Sequence, residues 1–272
     1  MGASQNALAV LQAAVPNAKV AAAKKLAAQW AETQDIGTDV KGIGDNPARP
    51  KAPQLVPPKQ VKRRRLGSPA GRGALLHAIA HIEFNAIDLA ADMIARFGHH
   101  SDISKADRSA FIGDWISVCH DESRHFGLLQ GRLRELDMSY GDLPAHNGLW
   151  EAAVKTKDNF EARLAIAPMV LEARGLDVTP AMIEKLTEAG DTESANILKI
   201  IYNDEIGHVA IGARWFQKMA QNKSKDPESW FHHLVRDYYK GQLKPPFNIQ
   251  ARTLAGLKKD ITCHFHSHWH EI

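Results

Sequence analysis

The chain has 272 residues, 44% of them hydrophobic and 24% charged, with a net charge of +3. That balance suits an ordinary soluble globular protein with a sizeable core and excludes a disordered chain, and no run of eighteen apolar residues marks a membrane span. Two cysteines give neither a disulfide framework nor a CxxC metal pair, and +3 is too little to argue for nucleic acid, so fourteen histidines are the unusual feature.

The opening MGASQNALAV has neither the basic start nor the long apolar core of a secretory signal, so a cytoplasmic protein is expected. Residues 3–14 and 17–33 are rich in alanine and separated by Pro16, which predicts a helical hairpin. From about 36 to 70 runs a proline-rich stretch with KRRR at 62–65, read as an extended arm. The basic run is expected to be solvated or to clamp onto acidic helix faces, with phosphate contact the rarer use. Four long segments with helical periodicity follow, at about 71–97, 105–137, 158–175 and 192–220. A shorter helix is predicted at 180–189, opened by Thr179-Pro180 and stopped by Gly190, and another at 226–240. No useful strand-like alternation precedes the tail CHFHSHWHEI, whose alternating histidines could take up a divalent ion adventitiously. The fold class is all-α, in three parts: 1–70, a hairpin plus arm; 71–220, a four-helix bundle; 221–272, a helical extension and tail.

Plotted at about 100° per residue, the apolar stripe of each long helix is interrupted by an acid. Glu83 stands among Leu76, Ile79, Ala80, Ile87, Ala90 and Ile94. Glu122 stands at the centre of Phe111, Trp115, Val118, Leu129 and Leu133, with His125 beside it. Glu172 lies among Ala165, Pro168, Met169 and Leu176. Glu205 lies among Leu198, Ile201, Tyr202, Val209 and Phe216, with His208 on the same side. An ionised carboxylate costs several kcal/mol to bury even after relaxation, so four facing one core require compensating positive charge. Lys and Arg are scarce on these stripes, which leaves a metal. One Glu from each of two helices plus Glu-x-x-His from each of two others is the set with which a four-helix bundle holds two iron or manganese ions. The i, i+3 spacing sets a carboxylate and an imidazole one turn apart on one face.

A single Glu-x-x-His is weak evidence in a chain with fourteen histidines. The two Asp-Glu dipeptides, DESRH at 121–125 and DEIGH at 204–208, both have histidine three residues after the glutamate, a coincidence on the order of a few in a thousand. Asp121 and Asp204 are candidates to accept the free ring N–H of a histidine ligand, fixing its tautomer.

This pattern resembles the ferritin-like di-iron carboxylate proteins over residues 71–220. GSPAGRGALLHAIAHIEFNAIDLA, DESRHFGLL and NDEIGHVAIGARWF more narrowly resemble a bacterial ferritin-like family catalogued as a domain of unknown function, and that likeness extends into the proline-rich arm. DESRH is similar to the Asp/Glu-Glu-x-Arg-His signature of oxygen-activating hydroxylases and desaturases, which implies that Asp121 and Arg124 support the ligands. DEIGH has Gly207 in place of the arginine, so that support would be one-sided.

The resemblance implies a hydroxylase or monooxygenase that uses two iron ions, with Mn/Fe or Mn/Mn left open by the donors. Its partners would be O₂, an electron donor and a small organic substrate. A tRNA-modifying hydroxylase with a similar bundle makes a nucleoside the alternative substrate, by fold analogy. No membrane partner is expected, and oligomeric state is left open. The rival functions are iron oxidation, peroxide removal or iron storage, and a non-catalytic metal-binding scaffold. Tyr202, one turn before Glu205, is expected to pack with its hydroxyl hydrogen-bonded, a redox role being the rarer alternative. His77, His81 and Asp88 share another face of their helix, read as solvated or interhelical ahead of a second metal site. Glu161 is expected at the bundle mouth, and Pro168 should bend its helix one turn before Glu172.

Overall fold

The structure is a computed structural model that describes residues 1–61, 66–239, 241 and 243–257. The KRRR run and the histidine-rich tail lie outside the described residues. Among the described residues all regular structure is helical, and the only ladder pairing is a parallel bridge between Leu55 of the arm and Ala145. The helices are α1 (Ala3–Gln12), α2 (Pro16–Thr33), α3 (Pro69–Phe97), α4 (Arg108–Glu135), α5 (Gly148–Lys155), α6 (Phe160–Ile166), α7 (Ala173–Glu188), α8 (Thr192–Asn222), α9 (Pro227–Tyr238) and α10 (Ile249–Leu254). A π segment, Ala167–Glu172, joins α6 to α7. The chain divides into two compact units, Met1–Val154 with Lys185–Ile197, and Lys155–Glu184 with Leu198–Ile272.

In the first unit α3 packs along α4, with α1 against α3 and α2 against α4. Local chemistry starts these helices where the sequence predicts. Pro16 opens α2, and Ser68 caps α3 by accepting from the Gly71 N–H at 3.1 Å, ahead of Pro69. The hairpin is fastened to α3 by a buried ion cluster. Lys19 Nζ donates to Asp88 Oδ1 at 2.5 Å and to the Val10 carbonyl at 2.8 Å, both side chains fully buried. Arg49 brings the arm to the same carboxylate at 3.0 Å and donates to Asn85 Oδ1 at 2.6 Å. Both cations also stand over the Phe84 ring, 5.5 and 5.4 Å from its centroid. At the other end Asp191 is ion-paired with Arg72 and accepts from Arg132, each at 2.9 Å. Asp88 is thus an interhelical group, one of the two uses expected of its face. Helix α3 is long and apolar enough to cross a membrane, but most of its apolar window is buried inside the protein.

In the second unit α6 packs on α9, and Phe216, Trp230 and Phe231 form an aromatic cluster. Asn159 caps α6 and Asp226 caps α9 by accepting N–H groups from Ala162 and Ser229. Glu161 is 7% exposed and ion-paired with Lys223. Two expectations change here. Pro180 does not start a helix; it lies inside α7, which runs unbroken to Glu188. Pro180 has no N–H for the Leu176 carbonyl, and the Asn248 side chain donates to that carbonyl instead, at 3.2 Å. Pro168 does not merely bend a helix; it lies within the π segment, whose wider turn relieves the clash a ring makes in an α-helix. Helices α5 and α10 were not foreseen. Each is short, and each is secured by contacts distant in sequence: Trp150 Nε1 donates to the Asp45 carbonyl, and Arg252 to Asp177.

Candidate metal centre

The first unit brings three of the expected ligands together. Helix α3 supplies Glu83 and helix α4 supplies Glu122 and His125 from one turn of its buried face. His125 Nδ1 lies 3.2 Å from Glu83 Oε2 and 3.2 Å from Glu122 Oε2. Each of the three offers a ligand atom within 4.8 Å of the others, an arrangement that could hold a metal ion. The side chains of Glu122 and His125 have no exposed surface, and that of Glu83 is 5% exposed.

Electrostatics here follows from crowding. Burial, and then the charge of Glu122, push the Glu83 carboxyl well above the usual carboxylate range, although His125 pulls the other way. Burial alone would lower the His125 imidazole, but hydrogen bonding and attraction from Glu122 and Glu83 raise it to about 11. The imidazole is thus drawn toward its protonated form while Glu83 is pushed toward its neutral one. A divalent cation would supply more charge to the same oxygens and release the imidazole as a neutral donor. Carboxylate and imidazole donors suit iron, manganese or zinc. Cys119 on α4 offers no soft ligand: it is buried, donates its Sγ to the Ile87 carbonyl at 3.7 Å, and burial holds its thiol protonated.

One aromatic cluster of the first unit was not anticipated. Phe84 and Phe126, each next to a ligand in sequence, meet at 5.2 Å, and Tyr140 closes on both at 5.3 and 5.0 Å. Tyr140 Oη also lies 2.8 Å from His81 Nδ1. Tyr140 sits in an irregular stretch, where no periodicity marks it; only its neighbour Gly141, at φ 110°, hints at a special turn. The Gly141 N–H donates to His77 Nε2 at 2.9 Å, so His77 also belongs to packing.

The second unit carries the other triplet. Glu172 ends the π segment, while Glu205 and His208 lie one turn apart on α8. His208 Nδ1 is 3.7 Å from Glu205 Oε1, with side-chain exposures of 3% and 12%. The Tyr202 hydroxyl accepts a hydrogen bond from Asn248 Nδ2 at 2.9 Å, the packing role expected of it. Asp121 and Arg124 are partly exposed and pair with each other at 3.4 Å. Asp204 is also partly exposed.

A family described as a protein of unknown function (DUF455) matches residues 12–262. The chain belongs to the DUF455 family. A DUF455 chain of this kind is also similar to an uncharacterized protein of Haemophilus influenzae, 44% identical over 209 residues, covering 77% of this chain and 73% of that protein. No solved structure matches it.

Proposed function

We propose that this DUF455 chain is a ferritin-like di-iron carboxylate oxidoreductase that activates O₂ and hydroxylates an organic substrate. In this reading Glu83, Glu122 and His125 hold one ion and Glu172, Glu205 and His208 a second, the donor set of a ferritin-like four-helix bundle. The observation that carries it is the sealed Glu83–Glu122–His125 set. Three titratable groups fully or nearly fully buried within 4.8 Å of one another are costly unless a cation binds them.

A ferrous pair held by such donors would supply the electrons that reduce O₂. The chain's own residues have defined tasks. Four glutamates balance the positive charge, and the two histidines bind as neutral donors. The fold leaves the Glu122 and His125 side chains no exposed surface, which keeps bulk water from the first triplet. Manganese fits the same donors, so the metal present follows its supply. Inserting one oxygen atom and releasing the other as water takes two electrons and two protons, so an external reductant is a required partner.

The test is elemental analysis of protein purified with iron supplied, followed by O₂ uptake on reduction. Two irons per chain, an oxo-bridged ferric spectrum and O₂ uptake without mineral formation are expected. A chain that takes up no iron or manganese overturns the metal reading. A chain that accumulates mineral overturns the oxygenase reading in favour of storage.

A further inference from the structure

A close contact in the second unit lies one turn from each arm of its triplet. Gly212 is four residues beyond His208 and seven beyond Glu205, so all three share one face of α8. Pro168 is four residues before Glu172, at the start of the π segment. A Cβ at Gly212 would stand 2.3 Å from both Cβ and Cγ of Pro168. The glycine is thus required for space, not for its backbone angles. The obstacle is a proline ring anchored in a helical backbone, which cannot swing aside as a long side chain would.

We infer that Pro168 and Gly212 are a positioning pair: the ring seated on the bare glycine fixes how closely the Glu172 segment approaches the Glu205 and His208 face of α8, and thereby sets the affinity of the second metal position. The inference rests on the metal-binding reading above. The π segment adds to it, because the extra residue in its wide turn moves Glu172 around the helix axis relative to Pro168. The Ala173 N–H closes that turn onto the Pro168 carbonyl, so ring and carboxylate belong to one hydrogen-bonded loop of backbone. Adding a methyl group at Gly212 forces the two segments apart at the point from which both arms of the triplet are measured.

The test is competitive titration of ferrous or manganous ion against a chromogenic chelator, with melting curves and circular dichroism reporting the fold. Gly212→Ala should bind the first ion within about twofold of the native chain and the second about tenfold or more weakly. Two double variants separate position from stability. Pro168→Ala with Gly212→Ala keeps the clashing Cβ and should stay impaired. Pro168→Gly with Gly212→Ala removes it and should recover the second ion. Both restore the missing N–H, so they differ chiefly in that methyl group.

The inference is overturned if Gly212→Ala binds both ions normally, or if the two double variants bind the second ion alike. Should Gly212→Ala fail to fold, the comparison of the double variants decides alone. A native chain that binds fewer than two ions defeats the metal reading instead, and native binding of two with an unaltered Gly212→Ala defeats only the spacer.

Discussion

Glu83, Glu122 and His125 ride on regular α-helix and are almost sealed, whereas Glu172 closes a π segment and Glu205 keeps 12% of its side chain exposed. In the first triplet the histidine sits 3.2 Å from both carboxylates; in the second it is 3.7 Å from Glu205. Both Glu-x-x-His pairs ride on α-helix, so the backbones of the two triplets differ only beneath Glu172. The first platform is clamped by the Lys19–Asp88–Arg49 cluster and capped by Ser68, while the second contains a proline that an α-helix would reject. Pre-organised ligands bind without first paying for order, so the first triplet should be the tighter position.

The strongest way to break this contrast is Asp88→Ala. It leaves the buried Lys19 and the partly buried Arg49 without their shared carboxylate and should cost the first unit about 3–5 kcal/mol. Hydrogen exchange should speed up through α1 to α4 while α9 and α10 keep their protection; equal acceleration in both units would refute the contrast. Glu122→Ala removes a fully buried ligand and should weaken the tight ion on the order of 100-fold, read as loss of stoichiometry by elemental analysis. His208→Ala should weaken only the looser ion, by about tenfold, because both glutamates of its triplet remain. A variant that lost both ions together would show that the two positions fill as one.

The smallest effect is a pH dependence. Burial pushes His77 below its ordinary 6.5, so the folded chain refuses a proton that the unfolded chain accepts. Stability from this source is therefore present above pH 6.5 and lost as pH falls, by at most about 1.4 kcal/mol per pH unit. His77→Gln should flatten that slope, as judged from denaturation midpoints on either side of pH 6.5.

The long helices were legible because their apolar residues recur at helical spacing. The first triplet was legible because an acid at the centre of such a stripe has nowhere else to point. The π segment was not, since its six residues are too few to show a periodicity of their own. Pro180 misled because a proline after threonine is a common helix start, and the donor that tolerates it mid-helix, Asn248, lies 72 residues from the carbonyl it serves. Tyr140 was hidden in irregular chain. Its importance is spatial, set by where Phe84 and Phe126 meet.

The ion cluster at Asp88 also decides where the chain can be cut. All six proposed ligands fall within residues 71–220, which invites expression of that span by itself. Such a fragment would discard Lys19 and Arg49 and bare a carboxylate five residues from Glu83 that the intact fold keeps dry. The hairpin and arm are therefore a structural lid on the ligand-bearing helix rather than an appendage.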